Sequence, residues 1–374
     1  MISSDEKLVL EGGKVKQLTM ARELESHIGG QGGVIIDYLR FTVLKASMFQ
    51  TKNMPSDTSP ENACYIMASK FAELLGYSLG DVRPGRDYYE HTVTVINTFG
   101  QEIASVSGGG ESQRDTYCFT LKGEGCTYAR HGWEKSVSEF FAPLNPKITR
   151  IDLARDTFDN HAITIECAIL AYKDNRFSYQ NRKPSYRLIG CTLEGETQHS
   201  RTFQVGKRES GKLIRVYEKA HQFGMMSDPW VRAEVELRSV NRVIPWDCLT
   251  KPGDYFAGAY EWCNWLVHQG MSHLDQKRIK TQTKVAEASV EKAMRWVARV
   301  VAPTLVQITS AMPDFDWLQN LVIDNAQRRV PRALRGLNHH AVKQGLDKWF
   351  DRINPNGNPN PSENFFNPGF AAAV

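Results

Sequence analysis

Between Thr202 and Lys219 the sequence reads Thr-Phe-Gln-Val-Gly-Lys-Arg-Glu-Ser-Gly-Lys-Leu-Ile-Arg-Val-Tyr-Glu-Lys. Two short β-type runs flank a polar, glycine-containing turn, which is the pattern of a hairpin. Side chains alternate between the faces of a strand, so Arg215, Tyr217 and Lys219 share one face while Ile214 and Val216 share the other. A phenol between two cations sits where its phenolate is stabilised. An unperturbed tyrosine titrates near ~10, so nucleophilic chemistry at Tyr217 needs neighbouring positive charge or a metal. An ordinary half-buried strand tyrosine fits the same pattern.

Two more stretches alternate in this way. In Ile148–Asp156, Arg150, Asp152, Ala154 and Asp156 fall on one face, with Ile151 and Leu153 on the other. In Val231–Arg238, Arg232, Glu234, Glu236 and Arg238 face one way, and Val231, Ala233, Val235 and Leu237 pack behind. Such alternation marks an antiparallel sheet with one face on the core. An exposed strand accounts for any one of these charges; their coincidence over three strands is what points to chemistry. The loop Arg176–Arg187 interleaves Arg176, Arg182, Lys183 and Arg187 with Phe177, Tyr179 and Tyr186. Cations that hold phosphates beside rings that stack on bases suit single-stranded nucleic acid. A surface loop with incidental aromatics fits equally well.

The elements that must position these residues give an α+β reading: a large, mainly antiparallel sheet flanked by helices, followed by a helical C-terminal region. Residues 1–33, with Gly12–Gly13 and the run Gly29–Gly33, read as a flexible arm. Val34–Val43 reads as a strand, Pro60–Leu75 as an amphipathic helix, and His91–Asn97 with Glu102–Ser107 as paired strands. The triple glycine at 108–110 lacks a following Gly-Lys-Ser/Thr and reads as a turn, not a phosphate loop. Trp133–Phe141 and Ala162–Tyr172 read as helices, the second capped from Asp159 or Asn160. From Pro245 the chain turns helical, over Tyr255–His268, Val285–Val301, Asp314–Arg328 and a last helix opening at Pro331. Arg332, Arg335, His339 and Lys343 form a basic stripe on that last helix. The domains expected are thus 34–268 for chemistry, 269–352 for basic helices that bind DNA or a partner, and 353–374 as a disordered, low-complexity tail.

At 374 residues, with 41% hydrophobic and 24% charged side chains, the chain has the composition of a globular protein with a sizeable core. It has no run of 18 apolar residues and no signal-type start, so neither membrane association nor secretion is expected. Seven cysteines without a Cys-x-x-Cys pair read as reduced thiols of a cytoplasmic protein. The net charge is only +4, but residues 271–352 hold 14 Lys and Arg against 8 Asp and Glu. That basic third suits a polyanion, and a solvated helical surface accounts for it too.

The ordered set of motifs resembles a known family, the rolling-circle replication initiators of small staphylococcal plasmids, with their relaxase and filamentous-phage relatives such as that of the cholera-toxin phage. The matching pieces are Ile36–Thr42, Ile148–Asp156, Gly206-x-Arg208-x-Ser210, Arg215–Lys219 and Arg232–Glu236. They cover residues 34–240, and the length and basic stripe beyond 270 look more like the phage members. The resemblance implies a nickase that cuts one strand at a replication origin. Tyr217 would become linked to the 5′ phosphate, leaving a free 3′-OH as primer, with Arg215 and Lys219 beside it. It also implies a divalent metal. None of the ten histidines has His-hydrophobe-His spacing, so oxygen ligands and hence Mg²⁺ or Mn²⁺ are expected. Asp152, Glu234 and Glu236 are the candidate ligands, with Asp37, Asp156 and Glu218 as alternatives. DNA contacts would come from Arg176, Arg182, Lys183, Arg187, Arg208, Arg332 and Arg335. The partners implied are origin DNA, double- and single-stranded, and a bacterial host's helicase and polymerase, with a homodimer left open. Two other readings stay open: a non-catalytic nucleic-acid-binding regulator, and a phosphodiesterase that uses metal-bound water.

Overall fold

The computed structural model describes residues 4–51, 54–55, 57–110, 113, 115–159, 163–179, 182–190, 200–240, 242–268, 274–279, 281–311, 334 and 339–353. They divide into two compact units, Met1–Ile279 and Lys280–Val374. The first unit opens with helix α1 (Ser4–Ile28) and strand β1 (Ile35–Leu44), followed by α2 (Lys45–Thr51) and α3 (Pro60–Leu75). A meander follows: β2 (Ser78–Pro84), β3 (His91–Ile96), β4 (Glu102–Gly108) and β5 (Thr116–Leu121). Two helices, α4 (Gly123–Tyr128) and α5 (Trp133–Phe141), lead to β6 (Lys147–Thr157) and α6 (Ile165–Lys173). A second meander comprises β7 (Tyr186–Ile189), β8 (Thr202–Lys207), β9 (Lys212–Glu218) and β10 (Val231–Arg238), before α7 (Pro252–Ala257) and α8 (Glu261–His268).

The ten strands among the described residues join one antiparallel sheet in the order β2-β3-β4-β5-β1-β6-β10-β9-β8-β7. The period-two pattern sets its two faces. One face buries Leu39, Phe41, Phe119, Ile151, Leu153, Val216 and Val235 in a continuous core with α3, α5, α6, α7 and α8. At its centre Phe41 stacks on Phe119 at 4.8 Å, and Phe71 and Phe141 meet both rings edge-on. The other face is polar almost throughout. It runs from Thr92 and Ser107, which share a 2.8 Å hydrogen bond, across β1 and β6 to the acids and arginines of β10 and β9.

Local sequence explains the helix ends. Ser59 caps α3 by accepting from the Asn62 amide, Pro60 follows at the first position, and Gly76 ends the helix at φ 81°. The expected cap of α6 shifts to Thr164, whose hydroxyl accepts from the Cys167 amide at 3.0 Å. The single helix expected over Tyr255–His268 is two, α7 and α8, parted at Gly258. The triple glycine ends β4, and Gly109 and Gly110 turn the chain at φ 82° and 88°.

The expectation of a loose arm over residues 1–33 is corrected. Residues 4–28 are helical, and Glu23 accepts from Arg155 at 2.6 Å and from the Asp156 amide at 2.5 Å. Gly12 is what lets the helix approach: a Cβ there would lie 2.4 Å from Phe223. Lys16 pairs with Asp228 at 2.6 Å nearby. Glycine and helix are thus compatible here, because the missing side chain makes room for a neighbour.

In the second unit, α9 (Thr281–Trp296) passes through a π-helical turn at Val297–Val301 into α10 (Ala302–Ala311), and α11 (His339–Ile353) packs on α9. Gly345 of α11 meets Val290 of α9, where an added Cβ would come within 2.9 Å. Among the described residues, no helix is long and apolar enough to cross a membrane. The expected helix Asp314–Arg328, and Arg332 and Arg335 of the basic stripe, lie outside the described residues.

Candidate active site

The polar face is assembled by register. Tyr217 of β9 lies opposite Arg232 of β10, which lies opposite Asp156 of β6. One rung along, Arg215 opposes Glu234; the next rung places Glu236 opposite Asp152, and Asp152 opposite Tyr38 of β1. Strand pairing alone thus brings together residues more than a hundred positions apart. A cavity of about 430 Å³ opens over them. It is lined by Asp37, Tyr38, Arg150, Asp152, Arg215, Tyr217 and Glu234, with Gly123, Ile189, Thr202, Gln204 and Gln222 closing the rest.

Tyr217 is only 7% exposed, and its hydroxyl donates to Oε2 of Glu234 at 2.8 Å. Burial, reinforced by the Glu234 carboxylate, pushes the phenol well above its ordinary value. This corrects the expectation of a phenolate held between two cations. Arg215 donates to Oε1 of Glu234 instead, and Lys219 lies beyond the strand end, its ammonium 5.8 Å from the Tyr217 ring centre. Burial, with the neighbouring Arg232, lowers the Lys219 ammonium. The tyrosine is therefore a phenol with a carboxylate on its proton and cations one step further out.

The acids differ in how they are held. Asp152 accepts from Arg150 at 2.9 and 2.5 Å, and Arg150 stacks 4.1 Å from the Tyr38 ring centre. Burial and the nearby Glu234 and Glu236 raise the Asp152 carboxyl to about 7, although Arg150 opposes the shift. Glu236 lies outside the cavity lining, bonded to Arg208 at 3.1 Å and also to Arg238. Asp156 accepts from Trp230 at 2.5 Å and Arg232 at 2.9 Å, and Arg232 reaches on to Asp37 at 2.5 Å. Although burial works against it, Arg232 and Lys219 hold the Asp37 carboxyl below its ordinary value. Glu218 faces away, pairing with Arg201 at 2.8 Å.

Of the three expected metal ligands, the fold turns Asp152 and Glu234 into one cavity and leaves Glu236 outside it. Among the described residues, no group of three His, Cys, Asp or Glu side chains is placed to hold a metal ion. The donors that remain suit one mode of binding: Mg²⁺ is commonly held by one or two carboxylates, with waters and substrate phosphate completing the shell. Each carboxylate oxygen bonded to an arginine keeps a second lone pair. Asp152 and Glu234 fit that role.

The expected DNA-contacting residues scatter. Arg182, Lys183 and Arg187 are exposed near the sheet's β7 edge, and Lys183 lies 4.4 Å from the Tyr172 ring centre. Arg176 sits 5.9 Å from the Trp265 ring centre, and Arg208 is tied to Glu236. Sequence reasoning missed the neutral side of the cavity, Thr202, Gln204 and Gln222. The first two stand on strand β8 at alternate positions facing Tyr217 and Arg215, a signal that the hairpin pattern contained but its charged residues obscured.

Residues 146–322 match the sequence profile of the replication initiation factor family. No curated protein sequence matches the chain. Among solved structures, a rolling-circle replication initiator protein from Geobacillus stearothermophilus is similar at a TM-score of 0.47 and 20% identity, over 66% of this chain and 99% of that one. The profile match begins at β6 and takes in Asp152, Tyr217 and Glu234.

Proposed function

We propose, from the match of residues 146–322 to the replication initiation factor family, that this chain nicks one strand of origin DNA with Tyr217 as nucleophile. The observation that carries the proposal is the Tyr217 hydroxyl, facing a cavity and donating to Glu234 at 2.8 Å. A nucleophile bonded to a base that a third group orients is the arrangement of activated attack, and Arg215 is that third group here.

In the proposed reaction, Oη of Tyr217 attacks the scissile phosphorus while Glu234 takes the phenolic proton. The Oη–P bond forms and the P–O3′ bond breaks. The departing 3′ oxygen takes a proton from water and becomes a 3′-OH that can prime synthesis. Arg215 and Arg150, already at the cavity, stabilise the charge that grows on the non-bridging oxygens. Mg²⁺ or Mn²⁺ held by Asp152 and Glu234 would polarise the same phosphate. Arg182, Lys183 and Arg187 would hold the flanking single strand, and unwinding and synthesis we assign to a separate helicase and polymerase.

The test is incubation with supercoiled DNA carrying the cognate origin, with Mg²⁺ or Mn²⁺ and with EDTA. The expected result is a metal-dependent nick and a covalent adduct on Tyr217. Nicking without an adduct would favour a water nucleophile. Binding without nicking would favour a regulator.

A further inference from the structure

The cavity has two chemically different halves. Arg150, Asp152, Arg215, Tyr217 and Glu234 make one half charged. The other is neutral, and it follows the sheet outward: Tyr217 pairs with Thr202 and Thr202 with Ile189, while Arg215 pairs with Gln204 and Gln204 with Arg187. These two rungs lead from the nucleophile to the edge strand, about 10 Å at the usual strand spacing.

Three observations meet at Gln204. Its side chain lines the cavity, and among the described residues its carboxamide has no hydrogen-bond partner. Ile189 beside it is 52% exposed, an apolar surface at the mouth of a polar cavity. Arg187, on the far side of Gln204, is exposed and has no ion pair among the described residues. A phosphate binds best in the charged half, and an unpaired carboxamide next to an apolar side chain suits a base: a flat face to stack and an edge that both donates and accepts.

Resting on the nickase reading, we propose that Gln204 is a specificity residue that reads the DNA base adjoining the scissile phosphate. Ile189 supports the base's face and Arg187 holds the next phosphate. A carboxamide pairs in bidentate fashion with adenine, whose edge offers one donor and one acceptor side by side. Adenine is therefore the preferred base at that position.

The experiment presents the full-length protein, with Mg²⁺ or Mn²⁺, to a pool of single-stranded oligonucleotides of random sequence. Both the DNA attached to Tyr217 and the released 3′-OH fragments are sequenced. In the wild type, adenine should exceed the other bases roughly 10-fold at one position beside the nick. In Gln204→Ala that bias should fall to about 2-fold or less. In Gln204→Glu, which only accepts, it should move to cytosine, whose N4 donates. Adducts that keep the wild-type bias in both variants would overturn the assignment of Gln204 alone. A wild type that forms no adduct would remove the nickase reading, and this inference with it.

Discussion

The phenol of Tyr217 and the carboxylate of Glu234 form a 2.8 Å hydrogen bond across adjacent strands, one register step out of direct opposition. The bond runs diagonally because Arg215, directly opposite Glu234, takes its other oxygen. One carboxylate thus orders both a phenol and a guanidinium.

Two substitutions separate the roles of this pair. Tyr217→Phe should abolish the covalent adduct and cost about 1–3 kcal/mol of stability, the range for leaving one partner of a buried hydrogen bond. Glu234→Gln keeps the shape and removes the proton acceptor, so adduct formation should fall roughly 10²–10⁴-fold. Denaturant melts and adduct yields measured together check both. An adduct mapped by mass spectrometry to another tyrosine would reject the assignment.

Asp152 predicts a pH dependence of stability. Its folded-state value is raised to about 7, whereas the unfolded chain's aspartates titrate near ~4. The native state therefore binds a proton that the unfolded state has released. That contribution is complete below about pH 4 and is lost as pH rises towards 7, at up to about 1.4 kcal/mol per pH unit. Asp152→Asn should flatten the unfolding free energy over that window. A variant with the wild-type slope would place the titration elsewhere.

Salt dependence should divide the basic residues by substrate. Changing Arg182, Lys183 and Arg187 to Ala should lower the log–log salt slope of single-strand binding by about 2, at roughly 0.7 per phosphate contact. Changing Arg332 and Arg335 to Ala should lower the slope for origin duplex by about 2 instead. Superimposable curves in either series would remove that set from the DNA surface.

Alternation of polar and apolar residues carried most of the sheet. Val231–Arg238 appears as an unbroken strand within the bounds read from sequence, because every second residue there is committed to the core. Tyr217, Glu234 and Asp152 could be grouped on one face for the same reason. What alternation lacks is information on pairing between side chains. It placed Arg215 and Lys219 beside the phenol, but Arg215 is drawn to the stronger acceptor, Glu234, and Lys219 leaves the strand in a 3₁₀ turn. Glu236 shares a face with Glu234, yet Arg208 and Arg238 hold it away from the cavity. Gly12–Gly13 signalled flexibility when read locally, and only the approach of Phe223 explains why the helix keeps a glycine there.

The sheet order has a kinetic consequence. Strands β2 to β5 and β7 to β10 are chains of neighbours, each able to zip from short loops, whereas β1 meets β6 across about 110 residues at Leu39 and Ile151. Closing so long a loop costs entropy before any contact repays it, so such pairings form slowly. The cavity straddles that seam, with Asp37 and Tyr38 on one strand, Asp152 on the other, and Tyr217 and Glu234 beyond. Pulse-labelled amide exchange during refolding should find the β1–β6 amides protected after those of the two meanders; simultaneous protection would contradict this order. A nascent chain then carries Tyr217 without the complete pocket around it until the β1–β6 seam closes, and the proposed cutting of DNA would begin only with the finished sheet.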